Sequence, residues 1–217
     1  MVNMQKDGGP YSTSVLLALG LAGACAGLAL SIILMGWTLG LGEDVDVTAL
    51  FTAMRPTTAL SFACLAYAVY LGQSAPGSLR RMVSTGLVLG VVALVVTNFA
   101  VGFLSNAAGL DGLFGGIGLS TDRMALAVGI GLLLACYCVY DASLNEPMTT
   151  DLHLYLSIFS ISTASAVIAG HLQDVNVMYD LPGFEGMSLV TSIAFILLFI
   201  ALLLCRLDQA QTLPDEE

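Results

Sequence analysis

The sequence predicts an all-α integral membrane protein with six transmembrane helices, built as three repeated helical hairpins. Three observations carry that expectation. First, 57% of the 217 residues are hydrophobic and only 10% charged, with a mean hydropathy of +0.90; soluble domains carry about 25% charged residues. Second, six intervals contain no Asp, Glu, Lys or Arg: Asp7 to Glu43, Arg55 to Arg80, Arg81 to Asp111, Arg123 to Asp141, Asp151 to Asp174 and Glu185 to Arg206. Each reaches the ~17–25 apolar residues of a spanning helix, the fourth (Met124 to Tyr140) only just. Third, a unit of about 66 residues recurs, with MRPTTALSF from Met54, STDRMALAV from Ser120 and MSLVTSIAF from Met187 at offsets of 66 and 67. An outer-membrane barrel would show alternating segments of about ten residues instead.

Taken in order, residues 1–12 form a short polar tail. Only Lys6 precedes the first apolar run, which is too long for a signal-peptide core, so the first helix is retained. The six-helix domain covers 13–206, with repeats at 14–72, 80–141 and 151–206, joined by SAPGSLRR and DASLNEPMTTD. Residues 207–217 are an acidic tail. Lys6, Arg80, Arg81 and Arg206 fall on one side of this arrangement, and Arg55 and Arg123 on the other. The excess of basic residues places both termini in the cytoplasm of a bacterial or archaeal cell.

The loops inside the hairpins, near 38–55, 105–123 and 173–186, hold Glu43, Asp44, Asp46, Asp111, Asp122, Asp174, Asp180 and Glu185. Such an acidic outer rim is either solvated surface or a cation-binding one. Its apolar pairs, Leu50-Phe51, Leu113-Phe114 and Met178-Tyr179, fit short re-entrant or interfacial helices. The five cysteines all fall in expected spans and read as small packing residues. Gly23 and Gly27 form a GxxxG spacing that suits packing between repeats or between two protomers of a homodimer. A net charge of −10 argues against a nucleic-acid partner, leaving the lipid bilayer as the main one.

Ionisable residues inside a membrane are costly and are functional candidates by default. His153 and His171 are the only histidines, both in the fifth span. Eighteen residues apart, they share a helix face but stand ~27 Å from one another at 1.5 Å per residue, too far to share one metal or haem. His153 is expected near the cytoplasmic surface beside Asp151, and His171 at the outer end. Gly36-Trp37, Gly102-Phe103 and Gly170-His171 occupy equivalent places in the three units, so His171 is where the repeat breaks. It reads either as an amphipathic interfacial residue, like Trp37 and Phe103, or as a ligand or proton site with Asp174 as partner. Met187 at similar depth makes a His–Met haem site conceivable, although no cofactor is the plainer expectation. Asn98 is an intramembrane polar residue suited to a hydrogen bond across helices. No Ser-His-Asp set, HExxH, phosphate-binding glycine loop or CxxC pair is present, which argues against an enzyme.

Residues 50–72, LFTAMRPTTALSFACLAYAVYLG, resemble a segment of the membrane-embedded input domains of bacterial sensor histidine kinases and diguanylate cyclases. Met54, Pro56, Thr58, Ala59, Leu60 and Phe62 carry the resemblance. The third unit keeps Met187, Thr191 and Phe195, and has Gly170-His171 where those domains have glycine-tyrosine. The resemblance implies a sensory module whose last helix leads to a cytoplasmic output domain. Here eleven residues follow Arg206, so the chain is expected to be an excised input domain or to signal through a separate cytoplasmic partner. Two other readings stand beside it: a small non-catalytic subunit of a larger membrane complex holding haem or pigment, and a small-molecule transporter.

Overall fold

A computed structural model describes residues 12–34, 54–73, 78–105, 110, 124–143, 150–173, 183–184 and 187–212. These residues form six α-helices: α1 Thr13–Ile33, α2 Pro56–Gly72, α3 Leu79–Ser105, α4 Leu126–Ala142, α5 Thr150–Gln173 and α6 Leu189–Thr212. No strand occurs among the described residues. The last helix continues six residues past Arg206, so 207–212 extend a helix rather than begin a tail.

Four helices are long and apolar enough to cross a membrane: Thr13–Ile33, Leu79–Leu104, Leu152–Gln173 and Leu189–Asp208. That points to a membrane location, but it corrects the expectation of six spanning helices. Helices α2 and α4 have 17 residues each, about 25 Å at 1.5 Å per residue against a hydrocarbon core of ~30 Å. Both begin late for local reasons. Pro56 occupies the first turn of α2, where its missing N–H costs nothing, and Arg55 before it is extended. Ala125 is likewise extended before α4. Met54, Met124 and Ala125 are buried in these entries, and non-helical backbone at membrane depth is tolerated when protein covers it.

The chain runs up and down, so that both ends of the helical bundle's path lie together. Ser12 caps α1 by accepting from the Val15 N–H at 3.3 Å. The hydroxyls of Ser12 and Ser14 both donate to Asp208 Oδ1 near the end of α6, the latter at 2.9 Å. Below, this face is the terminal end and the opposite face the distal end.

The odd and even helices differ in place. Helices α2, α4 and α6 contact one another inside, while α1 packs on α2 and α6, α3 on α2 and α4, and α5 on α6 and only sparsely on α4. The most apolar windows of α1, α3 and α5 are each 28% buried, that of α6 61%. The outward faces of the odd helices remain apolar, with Leu16, Leu30, Leu89, Val96, Tyr155 and Phe159 exposed, a surface that water would oppose and lipid would accept. At the centre, the Phe62 and Phe195 rings meet edge to face at 4.8 Å, within the favourable range for aromatic pairs. Gly131 lets α4 approach this pair, since a Cβ there would stand 2.7 Å from the Phe195 ring.

Serine and cysteine stitch the seams. Ser84 Oγ donates to Ala68 O at 2.8 Å between α3 and α2. Cys25 Sγ approaches Ala194 O at 3.5 Å and Cys136 Sγ approaches Val88 O at 3.8 Å, weak thiol contacts across α1–α6 and α4–α3. All five thiols are free, as packing residues would be. Gly23 and Gly27 behave differently from expectation within the chain. Both are exposed, and a Cβ on either would meet nothing within 4 Å. The GxxxG face therefore points away from the bundle and packs no neighbouring helix among the described residues.

Candidate functional site: a buried Asp–His–Arg cluster

Helix α5 presents a polar stripe inward. His153, Ser157, Ser160, Ala164 and Val167 are all buried, and their spacing of four and three residues follows one face of a 3.6-residue helix. His171 continues the stripe, half-buried, at the distal end. Helical periodicity therefore carries both histidines to the same side of α5, one at each end.

At the terminal end, His153 is fully buried rather than at an aqueous surface, while the side chain of Asp151 lies outside what the structure describes. His153 Nδ1 lies 3.2 Å from Oδ2 of Asp141, which is 3% exposed in the last turn of α4. With the carboxylate ionised, Nδ1 must be the donor. Arg206 of α6, also buried, lies near enough to act electrostatically on the ring, and so does the Leu202 carbonyl one turn earlier. Buried charges persist when they are paired, and here a carboxylate and a guanidinium from different helices flank one imidazole.

The cluster retains unused hydrogen-bonding capacity. His153 Nε2 and Ser157 Oγ, one turn apart, close no hydrogen bond of good geometry among the described residues. The Cys138 thiol of α4 sits beside Ser157. Chemically, an Asp–His pair holds a proton and orients an imidazole. The larger effect here is mechanical: α4 and α5 must keep one relative geometry for the pair to exist.

The distal end has a second histidine contact. His171 Nε2 donates to the Met187 carbonyl at 2.9 Å, linking the end of α5 to the entry of α6. That bond engages one of the two ring nitrogens of His171 and the backbone, not the sulfur, of Met187. Among the described residues no group of three or more His, Cys, Asp or Glu is placed to hold a metal ion. Asn98 of α3 is buried, and its Oδ1 accepts from the Leu110 N–H at 2.6 Å. That bond ties Leu110, beyond the end of α3, back to the helix. Phe103 is 84% exposed on the outside of α3, away from His171's stripe. Trp37 and Asp174 lie outside the described residues, as do most of the acidic loops.

Sequence reasoning missed Asp141 and Arg206, treating both as borders of apolar intervals. The available signal was their depth: each ends an interval that barely reaches spanning length or sits in an otherwise unbroken apolar run. Comparison with known proteins adds no assignment, because no family model, no curated protein and no solved structure matches the chain.

Proposed function

We propose that this chain is a membrane-embedded sensory module, without catalysis of its own, whose signal leaves through the terminal end of α6. In this reading all six helices lie across a bacterial or archaeal cytoplasmic membrane with both termini inside. The two shorter helices are lined by their neighbours. The three hairpins are repeats, and each inner helix begins two residues after a buried methionine: Met54 before α2, Met124 before α4, Met187 before α6. The starts of α2 and α4 set the second unit 70 residues after the first, four more than the aligned apolar stretches. In that register Tyr67, Val69 and Tyr70 match Tyr137, Val139 and Tyr140.

The observation that carries the reading is the convergence of contacts on the last turns of α6. Within three residues, Arg206 faces the Asp141–His153 pair and Asp208 accepts from the start of α1. An element held by two polar contacts to separate neighbours has discrete alternatives when one contact is lost. A ligand acts only through differential affinity for such states. A homodimer through the exposed Gly23–Gly27 face would carry paired α6 helices toward a cytoplasmic partner or a fused output domain.

The test is a distance measurement on α6. Spin labels at Leu207 in a nanodisc-embedded full chain report the separation of α6 ends by pulsed resonance, before and after His171→Phe removes the distal α5–α6 bond. The expected result is a shifted or newly bimodal distribution. A distribution unchanged by that variant and by deletion of the Asp141 carboxylate would end the proposal.

A further inference from the structure

Between α4 and α5, where the two helices pack sparsely, lies a cavity of about 290 Å³, at the small end of the ~300–1,000 Å³ range of ligand sites. Its walls are mostly carbon, from three helices: Ile130 and Leu134 of α4, Phe159 and Ala164 of α5, Phe195 and Phe199 of α6, with Ser160 and Thr163 of α5 the hydroxyl-bearing exceptions. It runs from the distal entry of α4 at Leu126 to Leu134, about 12 Å along the helix axis. The Asp141–His153 cluster does not use it, whereas Met187, whose carbonyl accepts from His171, also lines it.

Two features set how it is entered. The distal end is roofed by Gly183 and Phe184, which also line the cavity. The roof is fixed to α4 by the Ala127 N–H donating to Gly183 O at 2.9 Å, and Gly183 takes φ +88°, a conformation that favours glycine. The side is open. Leu126, Ile130 and Phe159 line the cavity and are also 55%, 50% and 63% exposed on the outer surface, so the space continues laterally between α4 and α5. A side entrance through apolar residues, with a roof above, admits what lies beside the helices rather than what is dissolved above them. Water is a poor occupant, because an ordered water needs two to four polar partners. An empty space of this size forfeits dispersion contacts along its whole lining.

We infer that this crevice is a binding site for a single hydrocarbon chain entering from the bilayer, an acyl or isoprenoid chain. The inference rests on the membrane-embedded reading but not on signalling. The bound chain lies against Phe195 and Phe199, on the same helix whose terminal end holds Arg206. Phe195 in turn meets Phe62 of α2. Occupancy therefore acts directly on the packing of α6, which gives the sensory reading an apolar ligand class.

The experiment uses the full chain in phosphatidylcholine vesicles with a palmitic acid carrying a diazirine along its chain. After illumination, adducts are mapped by mass spectrometry. The expected result is labelling of Leu134, Phe195 and Phe199, which are reached only through the crevice, together with general labelling of lipid-facing Leu89 and Val96 on α3. Ala164→Phe places a ring in the cavity and is expected to lower crevice labelling roughly tenfold while leaving Leu89 and Val96 unchanged. Ser160→Leu narrows the same wall more mildly and serves if the first variant does not fold. Competition by unlabelled palmitate or by a farnesyl chain separates the two sources; either result supports the site. Labelling of Leu89 and Val96 with none in the crevice overturns the site and leaves the membrane reading intact. Absence of labelling at both overturns the membrane reading as well. Crevice residues cross-linked to a second copy of the chain would show the space to be a protein interface and also overturn the proposal.

Discussion

Removing the Asp141 carboxylate is the sharpest test of the cluster at the end of α6. Asp141→Ala leaves the buried His153 without its Nδ1 partner. Breaking a buried pair by deleting one partner costs about 3–5 kcal/mol. For a chain of 217 residues, each kcal/mol corresponds to about 2–4 °C, so Tm is predicted to fall by roughly 6–20 °C. Asp141→Asn keeps the shape and one acceptor but removes the charge, and its expected cost is about 1.5–3 kcal/mol, the worth of a hydrogen bond to a charged group. The assay is thermal unfolding of the protein in mild detergent, followed by tryptophan-independent near-ultraviolet dichroism and by thiol accessibility of Cys138 and Cys205. Those buried thiols become reactive when the α4–α5–α6 contact opens. Adding His153→Leu to Asp141→Leu should recover part of the loss, because neither buried polar partner is then stranded. An Asp141→Ala protein melting within about 1 °C of the parent, with both thiols still protected, would refute the reasoning that this pair fixes α5 against α4.

Other predictions follow from close approaches and exposed faces. Gly129→Ala places a Cβ inside the ring of Phe99 on α3; it is expected to cost about 1–3 kcal/mol, with Phe99→Leu in the same chain restoring most of the lost Tm. A Cβ at Gly27 meets nothing among the described residues, so for Gly27→Leu monomer Tm should stay unchanged while light scattering reports loss of any dimer formed through that face; a dimer that survives it uses another surface. His171→Phe retains a ring at the interface but loses the 2.9 Å bond to Met187 O, with an expected cost of about 0.6–1.7 kcal/mol by the standard of membrane hydrogen bonds. Faster amide exchange at Ser188 and Leu189 checks that it is the entry of α6 that loosens.

Much of the architecture was legible because hydrocarbon imposes it. Uncharged intervals marked all six helices, and the expected hairpin connections at Gly72 and Tyr140 lie within two residues of the observed ends of α2 and α4. Length was less legible. Interval counting cannot see that the helices begin only at Pro56 and Leu126, after non-helical Arg55 and Ala125, since apolar residues are equally at home in a helix or in a buried entry segment. Each of these helices has only 17 residues, against 21 or more in the other four. The site was half legible. The cost of intramembrane charge directed attention to His153 and His171, but pairing depends on which helices neighbour each other. Nothing in the spacing of 12 residues between Asp141 and His153 distinguishes a cross-helix partner from two ends of a solvated turn. The GxxxG spacing named a close-packing surface without naming its occupant, and the bundle leaves it facing outward.

The cluster and the crevice lie at opposite ends of one seam. Helix α5 packs closely on α6 and loosely on α4, so α5 and α6 form a pair whose position against α4 is set at the terminal end by Asp141–His153 and at the distal half by whatever fills the space beside Phe195. If the seam behaves as one unit, perturbing either end changes the cost of perturbing the other. Ala164 stands 11 residues from His153, about 16 Å along α5, beyond the distance at which mutations normally couple; independent sites add within about 0.3–0.5 kcal/mol. A cycle of Ala164→Phe, Asp141→Asn and the double variant, measured by Tm in the same detergent, is predicted to depart from additivity by more than that margin. A ring that props α4 away from α5 has already weakened the pair, so the second change should cost less than it does alone. Strict additivity would separate the two features, leaving a local ion cluster and a local cavity that happen to share a helix.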